Sequence, residues 1–167
     1  MREKPILLES DAVRSIVAGL KTEHRVPVSK YMTITHVDDI GYYIDGVTDS
    51  FGRVFRYPYG CPGDRIWVRE PFRVKHIQYK ADGDSQAPVY AVGGWQPSMY
   101  MPRWASRLTM DVLAVWIEPL QSITDEGAMH EGSDLFEYPG VWNRAHKETE
   151  FSWAANPFVF VTRFSVI

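Results

Sequence analysis

The 167-residue chain predicts an α+β fold, a mixed β-barrel with two or more short helices in a single domain spanning 1–167. Three observations predict it. Short apolar runs recur between turn residues, as strands do. Only two segments carry helical periodicity, too few for alternating βαβ units. Aromatic residues make up 14% of the chain, with six Trp, and such side chains suit pleated, half-buried surfaces.

Pro5 to Leu8 reads as a short buried strand. Ser10 follows as a helix N-cap, and Asp11 sits in the first turn where its charge favours the helix dipole. Val13, Ile16, Val17 and Leu20 recur at i, i+3, i+4 and i+7, one apolar helix face. Gly19 weakens the last turn, so the helix delivers Lys21 to its C-terminal end, ahead of an extended segment ending near Pro27. Tyr42 to Ile44 and Val54 to Tyr57 are β-like runs among turn residues. Pro58 to Asp64 is a loop, Ile66 to Glu70 a strand, and Phe72 to Tyr79 another. The segment Trp95 to Trp104, flanked by Gly and Pro, resists regular structure. Leu108 to Ile117 alternates as a long strand. Thr124 caps a second helix, with Asp125 and Glu126 in its first turn, Ile123 and Ala128 as a hydrophobic staple, and Gly132 as its stop. Residues 133–157 read as a loop, and Phe158 to Val166 as a terminal strand.

A hydrophobic content of 45% against 23% charged residues excludes a chain that is disordered throughout. The single cysteine, Cys61, excludes an internal disulfide and a multi-cysteine zinc site, and fits a reducing compartment. The apolar run near the N-terminus is four residues long, too short for a signal peptide or a membrane span. The expectation is a cytoplasmic protein with no membrane partner. Net charge is −3, so the chain as a whole is not a basic nucleic-acid binder. The charge is uneven, however. Seven basic residues from Arg53 to Lys80 face only Asp64 and Glu70, whereas nine acidic residues from Asp111 to Glu150 face Arg144 and Lys147. That pattern fits either a basic face or strands that project charge into solvent.

Most catalytic templates are absent: there is no Walker-type phosphate loop, no G-x-S-x-G elbow and no Pro-Cys-x-x-Cys of a zinc deaminase. His36 with Asp38 and Asp39 are explained as turn residues, and no metal or other cofactor is expected.

Several motifs resemble the ASCH domain family of the PUA-like superfamily, in its phage-type branch. Gly19-Leu20-Lys21-Thr22 after an apolar helix resembles the Gly-x-Lys-Thr signature. Cys61 to Glu70 (CPGDRIWVRE), Met101 to Arg107 (MPRWASR), Leu120 to Glu126 (LQSITDE) with Glu131-Gly132, and Asn156 to Val161 (NPFVFV) follow in order. The resemblance implies a PUA-like β-barrel with a cleft between barrel and helices, and a location in the host cytoplasm if the chain is phage-encoded. One branch of the family, the acetylcytidine amidohydrolases, uses the lysine of the Lys-Thr motif, a threonine three residues later and a glutamate at a helix end. Lys21 and Glu131 occupy the first and last of these positions, and Arg25 the arginine that follows in the motif. The threonine position holds His24, a departure from the pattern.

Amide hydrolysis needs a base for the nucleophile and a donor for the developing oxyanion. Lys21 can donate, Glu131 can relay protons, and His24 can act only as a base toward water. Each has a structural alternative: Lys21 as a cation at a helix C-terminus, Glu131 as a solvated helix end. A second candidate set lies nearby in sequence. Trp95, Trp104, Arg103 and Arg107 combine flat rings with guanidinium donors, suited to stacking on a base and contacting phosphate, or else to plugging a barrel mouth. The leading expectation is a domain that binds nucleic acid (RNA or single-stranded DNA) or a modified nucleoside in a base-sized cleft, with Lys21, Thr22, Arg25, Arg69 and Glu131 as contacts. The alternatives are an amidohydrolase of acylated nucleosides and an RNA-cleaving domain.

Overall fold

The computed structural model describes residues 1–28, 47–48, 54–55, 57–74, 77–83, 94–146 and 149–167. Their elements, in chain order, are β1 (Glu3–Leu7), α1 (Ser10–Val17), β2 (Glu23–Pro27), β3 (Val47–Thr48), β4 (Val54–Phe55), β5 (Arg65–Arg69), β6 (Phe72–Arg73), β7 (Gln78–Tyr79), β8 (Thr109–Pro119), α2 (Asp125–His130), α3 (Tyr138–Ala145) and β9 (Phe158–Val166). The fold is mixed α+β. Five strands form one sheet in the order β1-β5-β8-β9-β2, in which β1 and β5 are parallel and the other pairs antiparallel. Two hairpin-like pairs, β3–β4 and β6–β7, stand outside it.

The expected barrel is not formed by these strands. Although β1 and β2 are consecutive in sequence, they occupy opposite edges of the sheet, and no described strand joins them. The connection between them is α1, which crosses the sheet face with Val13 and Ile16 buried against Ile6, Ile66, Met110 and Phe164. Closure would require the edge hydrogen bonds of β1 and β2 to meet, and the helix carries the chain across the face instead.

Among the described residues, a second cluster packs beside α2 and α3. There Val159 and Val161 pack with Leu120, Ile123 and Ala128 beside α2, and with Tyr138 and Trp142 of α3. A register shift between Val112 and Ala114 keeps both halves of β8 facing the first cluster. Met110 and Val112 point to the first core, the alternation slips by one residue at exposed Leu113, and Val115 and Ile117 resume on that same core. An extra residue of this kind bends a strand and re-aims its side chains.

Local signals fared unevenly. Thr124 caps α2, its side chain accepting a hydrogen bond from the Gly127 amide. Gly132 ends the helix with φ +80°, and the Ser133 amide donates back to the Ala128 carbonyl. Ser10, by contrast, is the first residue of α1 rather than its cap; Glu9 takes that position and no side chain caps it. The predicted apolar face is half realised: Val13 and Ile16 are buried, but α1 stops at Val17, and Val17 and Leu20 are exposed. Residues 133–157 are not all loop, because α3 begins there with Pro139 in its first turn, where a missing amide hydrogen costs nothing. Phe72 to Tyr79 is two short paired strands, not one. The aromatic segment holds two 3₁₀ turns, at Ser98–Tyr100 and Arg103–Ala105. Tyr42 to Ile44 and the His36, Asp38 and Asp39 group lie outside the described residues. No helix among the described residues is long and apolar enough to cross a membrane.

Removing the cap in Thr124→Ala is expected to lower stability by about 1 kcal/mol in urea denaturation. Gly132→Ala is expected to cost at least as much, on the order of 1–2 kcal/mol. Its backbone is left-handed, and an added Cβ would meet Ser15 Oγ at 2.2 Å.

Candidate functional site

Residues 21–22 are held from three sides. After α1 the backbone turns through Gly19, whose φ of +72° an L side chain rarely adopts, and the Leu20 and Lys21 amides donate to the Ser15 carbonyl. Lys21 then forms an isolated antiparallel bridge with Glu131. The Thr22 amide donates to the His130 carbonyl at 2.7 Å, and the Thr22 carbonyl accepts from the Phe164 amide at 2.9 Å. The start of β2 is thereby fixed against both the end of α2 and the end of β9.

This clamp brings two of the predicted residues into contact. The Lys21 ammonium is ion-paired with the Glu131 carboxylate, and their side chains are only 6% and 7% exposed. The structural alternatives, a solvated helix end for Glu131 and a lone helix-end cation for Lys21, are therefore not what is seen. Arg25 belongs to the same cluster. Its Nη1 lies 3.3 Å from Glu131 Oε1 and its Nη2 donates to Glu118 Oε1 at 3.0 Å. Its Nη1 also lies 2.9 Å from Glu23 Oε2, close enough for charge attraction but off the hydrogen-bonding direction, since that oxygen accepts no hydrogen bond among the described residues. Glu23 Oε1 accepts instead from Arg163 at 2.6 and 2.9 Å. Glu118 Oε2 accepts from the Trp116 indole at 2.9 Å.

Three cations thus meet three carboxylates in a largely buried network. Burial works against the charge of Arg25, but Glu131, Glu23 and Glu118 outweigh it and hold the guanidinium above its ordinary pKa. Burial also pushes the Tyr138 phenol up, and the negative charge of Glu131 adds to that. The phenol stays neutral beside the cluster.

His24 stands apart from this network. Strand alternation puts Glu23 and Arg25 on one face of β2 and His24 with Val26 on the other, where Val26 packs on the first core. The His24 ring sits 5.9 Å from that of Tyr59. No hydrogen bond joins it to Lys21 or Glu131. Burial, followed by the charges of Lys21, His146 and Arg25, holds its pKa well below 6.5, so it is a neutral imidazole at pH 7.

A groove of about 650 Å³ opens beside the clamp. Its walls are Ile16 and Val17 of α1, Leu108, Leu113, and Phe164 and Val166 of β9; Lys21, Thr22, His130, Arg163 and Ser165 are its polar lining residues. His24 and Glu131 are not among its lining residues.

The second predicted set lies elsewhere. Arg69 is on β5, three strands from β2 in the sheet order, which is about 14 Å at the usual strand spacing. Its guanidinium lies 4.7 Å from the Trp67 ring centroid, and Arg103 lies 5.6 Å from the same ring while pairing with Glu3. Trp104 does not plug a barrel mouth but is 68% exposed. Trp95 carries Arg73 over its ring at 4.2 Å. Arg107 is consumed structurally: it forks onto Glu70, pairs with Asp82 and covers Tyr79. Lys21, Thr22, Arg25 and Glu131 therefore come together, while Arg69 and Arg103 meet over Trp67 at the other side of the sheet.

Among the described residues no group of three or more His, Cys, Asp or Glu is placed to hold a metal ion. Glu23, Glu118, Arg163 and His130 are the site residues that reading the sequence missed. Two left a trace. Lys21, Glu23 and Arg25 alternate in charge at the two-residue spacing that shares a strand face, and Arg163 is the only charged residue in the apolar run Phe158 to Val166.

Arg25→Met is expected to cost about 3–5 kcal/mol in chemical denaturation, because it removes the one cation shared by three carboxylates and leaves Glu118 with no cationic partner among the described residues. The His24 effect has a definite sign. A histidine whose pKa is depressed on folding binds its proton more readily in the unfolded chain, so its stabilisation is complete above pH 6.5 and is lost as pH falls below it. Stability measured from pH 7.5 down to 5 is expected to fall less steeply in His24→Gln, by up to one proton, or about 1.4 kcal/mol per pH unit. An unchanged slope would reject the buried neutral imidazole.

Comparison of the chain with protein-family models, with curated proteins and with solved structures finds no match in any of the three.

Proposed function

We propose that the chain is an ASCH-type, PUA-like domain that binds nucleic acid or a modified nucleoside, taking one base into the groove beside Lys21. The observation that carries this reading is the buried Lys21–Glu131 pair at the edge of that groove. Burying an ion pair is an inefficient way to stabilise a fold, since the desolvation of both charges offsets their attraction. A lysine oriented by a carboxylate in the lining of an apolar groove suits a polar ligand edge. A groove of about 650 Å³ is within the range of small-ligand sites. Its walls suit the flat face of a base, and Lys21, Thr22 and His130 suit the hydrogen-bonding edge. Arg163, partly exposed on the rim, is the cation nearest to hand for a phosphate.

A second reading, hydrolysis of acylated, acetylcytidine-like nucleosides, is favoured by the direct Lys21–Glu131 contact, which lets a carboxylate orient an ammonium donor. RNA cleavage by His24 has less support, because His24 does not line the groove.

Wild-type protein titrated with a panel of free nucleosides, including N4-acetylcytidine, and with short RNA and DNA strands is expected to bind at least one by calorimetry or NMR shifts. Lys21→Gln is expected to weaken that binding tenfold or more, on the order of 1.4 kcal/mol. Circular dichroism checks that the variant remains folded. No binding by the wild type across the whole panel would reject the assignment.

A further inference from the structure

The clamp that pairs Lys21 with Glu131 also brings three side chains into series, two of which the base-binding reading uses only as hydrogen-bonding groups. Thr22 Oγ1 lies 2.6 Å from His130 Nδ1, and His130 Nε2 lies 3.4 Å from Glu126 Oε1. Thr22 and His130 both line the groove. We propose that Thr22 is a hydroxyl nucleophile with His130 as its general base, acting on an ester or amide whose uncharged acyl group is apolar.

The geometry is that of an activated nucleophile: hydroxyl, imidazole and an orienting carboxylate in series, each within reach of the next. A neutral imidazole has one donor and one acceptor nitrogen. With the proton on Nε2, toward Glu126, Nδ1 is left to accept from the Thr22 hydroxyl. Glu126 is an exposed residue one helical turn before His130, so it is a positioning residue with a modest effect. Thr22 is held by backbone hydrogen bonds on both sides, and its hydroxyl is thereby aimed without help from a loop. His130 is 30% exposed and can be reached from the groove. The adjacent Lys21 ammonium donates to Glu131 Oε2 and, at 3.5 Å, to the Glu131 carbonyl.

The steps balance without a cofactor. Thr22 Oγ1 attacks the carbonyl carbon, forming a C–O bond as its proton passes to His130 Nδ1. The tetrahedral intermediate collapses, the bond to the leaving amine or alcohol breaks, and the imidazolium returns that proton to the leaving group. Water then attacks the acyl-Thr22 ester, giving its proton to His130. Release of the carboxylic acid restores the Thr22 hydroxyl with the proton that His130 hands back. No Asp or Glu lines the groove, which suits an uncharged acyl chain against Val17, Leu108 and Phe164.

This inference rests on the groove being the ligand site but not on the ligand being a nucleoside. The test uses p-nitrophenyl butyrate for turnover, a fluorophosphonate for covalent labelling read by intact mass and peptide mapping, and nucleoside binding on the same preparation. Saturable turnover and one adduct on Thr22 are expected. Thr22→Val and His130→Gln are each expected to lose about 100-fold or more in turnover. Thr22→Ser is expected to retain it, which separates loss of the nucleophile from loss of the fold. Glu126→Gln should lower kcat at unchanged KM. An unlabelled, inactive wild type, or labelling and turnover unaltered in Thr22→Val, would overturn the proposal. Acylation of Thr22 without any nucleoside binding supports it and rejects the base-binding reading. Nucleoside binding by a wild type that is never acylated rejects it and leaves that reading intact.

Discussion

The short backbone clamp at Lys21 and Thr22 is the constraint on which the site depends. Two consecutive residues are hydrogen-bonded to the end of α2 on one side and to β9 on the other. Because a bridge fixes the separation of the paired backbones, the side chains at its ends have little freedom in whom they meet. Lys21 meets Glu131, and Thr22 meets His130. The clamp tolerates no bulk at its corner, since Gly132 lies against Ser15 and its φ is positive. One local geometry thus holds both the ion pair and the hydroxyl–imidazole contact.

The charge cluster extends that constraint into β2, β8 and β9. Lys21, Arg25 and Arg163 balance Glu23, Glu118 and Glu131, so no net charge is buried, but each member depends on the others. Replacing such a network with apolar residues of the same volume can leave stability unchanged, whereas removing one member leaves unpaired charge. The network therefore matters more for where its members are held than for how strongly it holds them. Arg25 is its hub, touching all three carboxylates, and it locates Glu131 from the side opposite Lys21. Lys21 and Arg163, two of its cations, also line the apolar groove, so charge and apolar surface meet there.

The aromatic and arginine-rich segment belongs to another region of the sheet. The Trp67 ring with Arg69 and Arg103 above it lies across β8 and β9 from the clamp. The sequence offers this segment as a second candidate set and places Arg69 among the contacts of the Lys21 cleft. Sheet order separates them, because β5 and β2 are placed by their own partners and not by their distance along the chain. Arg107 shows the same effect in miniature: a phosphate donor on paper, it is spent on Glu70 and Asp82.

What the sequence by itself determined is local. The Thr124 cap, the left-handed Gly132, the two long strands near the C-terminus and the α+β class follow from propensities acting over a few residues, and they stand in the structure. The marking of Lys21, Thr22, Arg25 and Glu131 as a group came from motif resemblance, since nothing in their spacing states that they touch. Only the tertiary structure decided which charges are partners. It joined Lys21 to Glu131 across 110 positions and Thr22 to His130 across 108. It also turned His24 to the opposite face of β2, buried Glu23, and sent α1 across the sheet so that β1 and β2 became edges instead of a seam. Those outcomes depend on strand order and on how α1 and α2 dock. Both are set by long-range packing energy that no short stretch of sequence carries.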